Sequence, residues 1–217
     1  MTENPSGSTL LVAGMLVLCA AVLGAFSVAV RDRKLALGAV GWVVVVSVVA
    51  STGVLASFAP PRPLFVFVPT LAAVVWVFRR RRDALVSHPL GLIVGFQAFR
   101  ILVELMIHQA VVEGIAPPQM SWYPGLNQDV ITGILALALA PFATRVPVWV
   151  LRAFNAVGAF LLLWVVGVAI VSMPTPLQQL EPDNVWIAYF PWVLLPVVLV
   201  SAALLAHLTL HAKLTRA

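Results

Sequence analysis

Four polar side chains recur at helical spacing inside one otherwise apolar stretch of this chain of 217 residues. They are Gln97, Arg100, Glu104 and His108, in the run GFQAFRILVELMIHQ. Residues three or four positions apart share one face of a helix, so these groups should stack along one side of it. A guanidinium, a carboxyl and an imidazole on one face could bind a charged ligand, relay protons or help to hold a metal ion.

A second polar group precedes the next apolar run, which extends over residues 129–144. That run forms roughly 22 Å of helix, less than the hydrocarbon core of about 30 Å. Asp129 should therefore lie below the outer surface, at the depth of Glu104 and His108. We expect one outward-facing polar pocket, with Asn155 of the run LRAFNAVG as its floor. The predicted ligand-binding residues are Gln97, Arg100, Glu104, His108, Asn127, Asp129 and Asn155.

Simpler roles are open for several of these residues. Arg100 and Glu104 could neutralise each other one turn apart and only fix helix packing. Asp129 could cap the helix that follows it, because Asp is a preferred N-cap residue. His108 could be a hydrogen-bonded structural residue near an interface. Glu104, His108 and Asp129 are also weak candidates for a divalent metal site, since one His and two carboxylates can hold such an ion.

The elements that would position these residues are membrane helices. The chain is 62% hydrophobic and 10% charged, with a mean hydropathy of +1.04, so its solvent should be lipid. Crossing a bilayer takes about 20 apolar residues, and seven apolar runs predict an all-α bundle of seven transmembrane helices. The third and fifth runs are shorter than this, but proline and charge bound both of them sharply. The seven runs cover residues 9–30, 35–57, 63–78, 88–112, 129–144, 147–172 and 185–209.

Charge fixes the predicted orientation of this bundle. Eleven of the thirteen Lys and Arg residues fall in alternate connections and in the C-terminal tail, whereas Arg62 is on the other side and Arg100 is inside a run. The positive-inside rule makes the basic side cytoplasmic. Residues 1–8 are then an extracytoplasmic tail, residues 9–209 the transmembrane domain and residues 210–217 a cytoplasmic tail. The predicted location is a cell membrane, the bacterial inner membrane, with anionic lipids at a loop containing Arg79 to Arg82.

Several classes of protein are excluded by particular residues. The lysines, Lys34 and Lys213, both lie in predicted cytoplasmic segments, so no retinal Schiff base can form in a helix. Bis-histidine haem needs two His at one depth, and His108 is expected near the outside while His207 is expected near the inside. The single Cys19 excludes an intramolecular disulfide, and no nucleic-acid-binding motif occurs.

Pro191 and Pro196 are expected to kink the last helix.

The runs FQAFRILVEL, NQDVITG, LRAFNAVG and SMPTP resemble a group of uncharacterised multi-pass bacterial membrane proteins. The resemblance covers roughly residues 90–217. It implies that Arg100, Glu104, Asn127, Asp129 and Asn155 belong to the pattern shared by the group, and it implies no activity.

Three functions are compatible with the sequence. The first is binding or transport of a small anionic or zwitterionic solute, with Arg100 engaging the ligand and Glu104 and Asp129 balancing it or relaying protons. The second is a membrane-embedded enzyme, with or without the help of a metal ion, that acts on a lipid-like substrate. The third is a structural or accessory membrane subunit. No resident cofactor is predicted apart from the possible divalent metal.

Overall fold

The computed structural model describes residues 5–216, and the regular structure in this range is helical, apart from one isolated β-bridge between Phe58 and Pro61. Residues 1–4, which include Glu3 of the predicted N-terminal tail, and residue 217 lie outside the described part. The α-helices are α1 (Thr9–Val30), α2 (Arg33–Ser51), α3 (Leu64–Val86), α4 (Leu90–Phe96), α5 (Phe99–Val112), α6 (Val130–Leu139), α7 (Val148–Val171) and α8 (Ser201–Leu214). Single 3₁₀ turns lie at Val54–Ala56, Pro118–Met120, Ala140–Phe142 and Trp186–Ala188, and a π-helical turn at Leu195–Val200 leads directly into α8.

Five helical segments among the described residues are long and apolar enough to cross a membrane. They are Thr9–Val30, Arg33–Ser51, Leu90–Val112, Val148–Val171 and Leu195–Leu214. The third of them joins α4 and α5 through a tightened turn, in which the amides of Gln97 and Arg100 donate to carbonyls three residues earlier. The prediction of an all-helical membrane protein is confirmed by these elements.

Several predicted boundaries are wrong. The run at 35–57 ends as α2 at Ser51, six residues before its predicted end. The run at 63–78 continues as α3 to Val86, so Arg79 to Arg82 lie within the last turns of this helix and not in a loop. The helix is kinked at Arg81, whose φ of −118° and ψ of 18° are not helical. The last helical segment begins at Leu195 and ends at Leu214, ten residues after the predicted start at 185 and five after the predicted end at 209. Pro191 therefore precedes that segment and cannot kink it, whereas Pro196 lies inside its π-helical first turn.

The last segment forms the centre of the bundle. It is the most enclosed of the five apolar segments, and α8 packs mainly against α3 and α7. The helix α2 is the least enclosed, and it packs chiefly on α1. A hydrogen bond of 2.9 Å from Nε1 of Trp42 to Oγ1 of Thr70 also ties α2 to α3.

Polar contacts gather the basic segments at one end of the bundle, which we call the basic end. Nε of Arg81 donates to the carbonyl of Val30 over 2.9 Å, and Nζ of Lys213 donates to the carbonyl of Val86 over 2.7 Å. Arg216 forms an ion pair of 2.8 Å with Asp83. These bonds join the α1–α2 connection, the C-terminal turns of α3 and the C-terminal tail.

A separate set of contacts closes the opposite end. The hydroxyl of Ser8 donates to Oε1 of Glu113 over 2.7 Å, which links the start of α1 to the end of α5. The side-chain amide of Gln119 donates to the carbonyl of Pro182 over 2.6 Å, so the two longest connections also meet there. Arg62, the basic residue outside the basic clusters, lies beside this end and donates to the carbonyl of Val54.

Candidate functional site

A buried ion pair between α5 and the start of α6 lies at the centre of the site. Nε of Arg100 donates to Oδ2 of Asp129 over 2.6 Å, and Nη2 of Arg100 contacts Oδ1 of the same carboxylate. Both side chains are almost fully buried, with 2% and 7% of their surface exposed. This two-point geometry matches the planar guanidinium to the carboxylate and fixes the position of both groups.

The pair forms because α5 and α6 approach each other closely at Gly133. A Cβ atom at this position would lie 2.9 Å from the backbone nitrogen of Ile101 and 2.7 Å from its Cγ1. Only glycine allows the two backbones this distance, and Gly133 lies about one helical turn after Asp129. Asp129 occupies the N-cap position of α6, but its side chain makes no cap hydrogen bond and instead accepts from Arg100 and from the hydroxyl of Thr132.

His207 of α8 holds the other side of the guanidinium. Nη1 of Arg100 lies 2.9 Å from Nε2 of His207, and Nδ1 of His207 lies 2.9 Å from Oδ1 of Asn155 on α7. Arginine has only donors, so His207 must accept through Nε2 and carry its proton on Nδ1, which donates to Asn155. The site thus joins α5, α6, α7 and α8. Asn155 reaches the network through His207, but it is not among the residues that line the cavity beside Arg100, whose floor it was expected to form.

Glu104 has a different partner from the one considered for it. Its Oε2 accepts a hydrogen bond of 2.7 Å from Nδ2 of Asn127, which also donates to the carbonyl of Met120. Oδ1 of Asn127 accepts from the backbone N–H of Asp129 over 3.0 Å. Asn127 therefore links the Glu104 carboxyl to the loop that presents Asp129. Arg100 pairs with Asp129, which replaces the predicted self-neutralising pair of Arg100 and Glu104.

Two predicted site residues lie outside this network. His108 is half-buried, with Nδ1 2.9 Å from the hydroxyl of Ser121 and its ring against that of Trp122, so it is not brought together with Arg100, Glu104 and Asp129. Gln97 is buried, and its Nε2 lies 3.5 Å from the carbonyl of Ala203. Its contact is to the backbone of α8, and it is not among the residues that line the cavity beside Arg100.

A cavity of about 320 Å³ adjoins the network. Its polar wall is formed by Arg100, Glu104, Asn127 and Asp129, and the other walls are mostly apolar residues of α3, α5, α7 and the last helical segment. Trp186, from the connection before that segment, also lines the cavity. It is 1% exposed, and its Nε1 has no hydrogen-bond partner among the described residues.

This arrangement can recognise polar groups, but it lacks the donor set of a metal site. Within residues 5–216 there is no group of three or more His, Cys, Asp or Glu side chains that could hold a metal ion. The candidate set of Glu104, His108 and Asp129 is not brought together, because His108 faces Ser121. The cavity instead combines charged, donating and accepting groups on one wall with apolar surface on the others, which is the general composition of a small-molecule site.

His207, Thr132 and Trp186 belong to the site but are missing from the sequence prediction. His207 was expected near the cytoplasmic end, and it lies in the half of the last helical segment that ends at Leu214, roughly 10 Å before that end. Its only signal in the sequence is that it is a titratable residue inside a predicted span. Trp186 follows Glu181 and Asp183 in the sequence and resembles an interfacial tryptophan, so nothing there indicates its burial.

Comparison with known proteins gives no independent assignment of this site. No protein-family model, no curated protein and no solved structure matches the chain significantly.

Proposed function

We propose that this chain is a multi-pass membrane protein that binds a small solute with an anionic or zwitterionic group in the cavity beside Arg100. The observation that carries the proposal is the presence of four buried polar side chains, Arg100, Glu104, Asn127 and Asp129, on one wall of an otherwise apolar cavity. Ionisable residues inside a membrane protein are costly and usually line a ligand or ion site.

The charges of this wall favour a zwitterionic ligand over a purely anionic one. Asp129 occupies Nε and one side of Nη2 of Arg100, while the second hydrogen of Nη2 has no acceptor in the described contacts. That hydrogen and the N–H of Trp186 can donate to an anionic group. Glu104 uses Oε2 for Asn127, and its other oxygen can accept from a ligand ammonium group. Apolar walls suit the remainder of such a solute.

Binding can be tested on the full chain in nanodiscs with radiolabelled leucine as a zwitterionic probe and radiolabelled octanoate as an anionic probe. We expect saturable binding of leucine and weaker binding of octanoate in a scintillation proximity assay. Glu104→Gln, which keeps an acceptor for Asn127, should weaken leucine binding by about tenfold, the change expected for the loss of one charge-assisted hydrogen bond. His108→Gln is the matched control on the same helix and should leave binding unchanged.

A second variant distinguishes a loss of ligand binding from a loss of folding. Arg100→Gln with Asp129→Asn removes both charges together and leaves polar side chains that can bond to each other. The proposal fails if neither probe binds saturably, or if leucine binds to this variant and to Glu104→Gln as it binds to wild type. The second result would favour a structural or accessory role for the buried network.

We also propose that the chain crosses the bacterial inner membrane seven times, with its N-terminus outside and its C-terminus in the cytoplasm. The gathering of the basic segments at one end supports this orientation, because positive charge is retained on the cytoplasmic side.

In a Cys19→Ala background, a membrane-impermeant maleimide should label Tyr123→Cys and Leu177→Cys in intact cells. It should label Arg33→Cys and Arg145→Cys only after permeabilisation. Any other pattern contradicts the topology.

A further inference from the structure

The cavity beside Arg100 reaches the outer surface of the bundle between α3 and α7. Its apolar lining includes exposed side chains of both helices, among them Val68 of α3, which is 58% exposed, and Leu163 of α7, which is 66% exposed. Leu64, Leu71 and Ile170 are further exposed members of this rim. We call this opening, formed by residues 64–71 of α3 and 162–170 of α7, the lateral opening.

The opposite walls of the cavity are closed. Phe99, Val103 and Ile107 of α5 and Leu195 and Leu199 of the last helical segment line it from behind, and all five are buried or half-buried. The helix α3 packs on α1 and α8, and α7 packs on α6 and α8, so α8 holds the two flanking helices in place. The cavity is thus a cleft with a polar inner wall and an apolar mouth.

The mouth of the cavity lies in the half of the bundle farther from the basic end. Residues 64–71 are the first two turns of α3, which starts at that end, and residues 162–170 are in the second half of α7. Exposed leucine and valine side chains at this depth face hydrocarbon in a bilayer, not water. A solute passing this mouth must therefore be soluble in the lipid leaflet on that side.

We infer that the ligand is a single-chain zwitterionic lipid of the lysophospholipid class that enters from the bilayer through the lateral opening. This inference rests on the proposed function, whose cavity it uses. The phosphate of such a lipid matches the unused N–H groups of Arg100 and Trp186, and its ammonium matches Glu104. Its acyl chain extends between Val68 and Leu163 into the leaflet. One chain fits a mouth bounded by two helices, and the charged head fills a cavity of about 320 Å³.

The experiment uses the full chain in nanodiscs with a lysophosphatidylethanolamine that carries a photoreactive diazirine in its acyl chain. After irradiation, mass spectrometry of peptides should find the label concentrated on residues 64–71 and 162–170. Excess unlabelled lysophosphatidylethanolamine should remove it, and Glu104→Gln should reduce it by about tenfold. A monoacylglycerol with the same photoreactive chain has no charged head, and should not label these residues competitively.

Blocking the mouth separates lateral entry from binding as such. Val68→Trp with Leu163→Trp should abolish the competitive labelling. The control is Val44→Trp with Leu137→Trp, two exposed positions on α2 and α6 outside the opening, and it should retain labelling. Labelling that is spread over all exposed helix faces, that resists competition or that survives the blocked mouth overturns the inference.

The two proposals fail in different ways. If leucine binds and Glu104→Gln weakens it, while the lysolipid does not label the rim, the site is retained and the lipid ligand is wrong. If neither leucine nor octanoate binds saturably and the lysolipid gives no competitive labelling, the cavity is not a ligand site, and both proposals fail together.

Discussion

Nη1 of Arg100 lies 2.9 Å from Nε2 of His207, so one hydrogen bond joins α5 to α8 across 107 positions of sequence. Asp129 holds the other edge of the same guanidinium. The buried arginine is therefore bound on two sides, and each partner comes from a different part of the chain.

Replacement of His207 by leucine should destabilise the protein. The variant leaves an N–H of Arg100 and Oδ1 of Asn155 without their partner, and an unsatisfied buried polar group costs about 1–3 kcal/mol. Thermal unfolding in detergent micelles should show a lower Tm for His207→Leu. His211→Leu, at an exposed position one turn later on α8, should change the Tm little, and an equal loss in both variants would contradict the assigned role.

Gly158 and Gly167 provide a matched pair of positions on α7. A Cβ at Gly158 would lie 2.7 Å from Cε1 of His207 and 2.7 Å from Cγ2 of Thr132, whereas a Cβ at Gly167 meets nothing within 4 Å. Gly158→Ala should lower the Tm by displacing His207. Gly167→Ala should keep or raise it, because alanine favours a helix over glycine by up to about 1 kcal/mol. A reversed order of the two Tm values would show that His207 is not packed against α7.

The Arg100–Asp129 pair should show strong coupling in a double-mutant cycle. Arg100→Gln or Asp129→Asn alone leaves one buried charge without its partner, which costs about 3–5 kcal/mol. The double variant should lose clearly less than the sum of the single losses. Unfolding free energies of the three variants and the wild type in mixed micelles test this, and additive losses would mean that the two charges do not interact.

The contact between Glu113 and Ser8 should give a pH-dependent contribution to stability. Hydrogen bonds from the backbone N–H of Ser8, from Gln109 and from the Ser8 hydroxyl lower the pKa of the Glu113 carboxyl below its usual 4.5. A lowered folded-state pKa stabilises the protein above about pH 4.5, and this contribution disappears as the pH falls through the folded-state pKa.

Glu113→Gln should therefore lower the Tm slightly at pH 7 and have no effect at a pH below the folded-state pKa of Glu113. Glu181→Gln, on the connection after α7, is the control and should not show this difference. A constant effect of Glu113→Gln at both pH values would contradict a role for the carboxylate charge.

Arg79, Arg80 and Arg82 should attract anionic lipids at the basic end. They are exposed on the last turns of α3, whereas Arg81 is held by the carbonyls of Val30 and Arg31. Each exposed arginine near an anionic surface contributes about 1 kcal/mol. Replacing the three by glutamine should reduce the phosphatidylglycerol retained in native mass spectra relative to phosphatidylcholine, while Arg62→Gln at the opposite end should not.

The helical architecture was predictable because lipid imposes one simple rule on every span. A long apolar run must satisfy its own backbone hydrogen bonds, so length and hydropathy identify most helices. The same rule cannot locate ends inside a charged or aromatic segment. The α3 helix continues past Arg79 to Val86, with a kink at Arg81, because arginine is a good helix former. The last span starts late because a 3₁₀ turn at Trp186–Ala188 and further turns around Pro191 precede it.

The site was predictable only where one helix, or two neighbouring ones, determine it. The spacing of Arg100 and Glu104 and the short run after Asp129 correctly indicated burial at one wall. His108 is not brought to the same wall, because a step of four residues turns a helix by about 40° beyond a full turn and two such steps rotate it well away from Arg100. His207 depends on packing between α5 and α8, and no local pattern encodes that distance.

Because its guanidinium only donates hydrogen bonds, Arg100 determines whether a proton can move along the buried network. Arg100 donates to Asp129 on one side and to His207 on the other, and it has no lone pair with which to take up a proton from either. A hydrogen-bonded wire running from Glu104 towards Asn155 is therefore interrupted at its middle. The buried polar network therefore provides no continuous path for a proton between Glu104 and Asn155, because a fixed cation interrupts it as it blocks proton passage through a water pore.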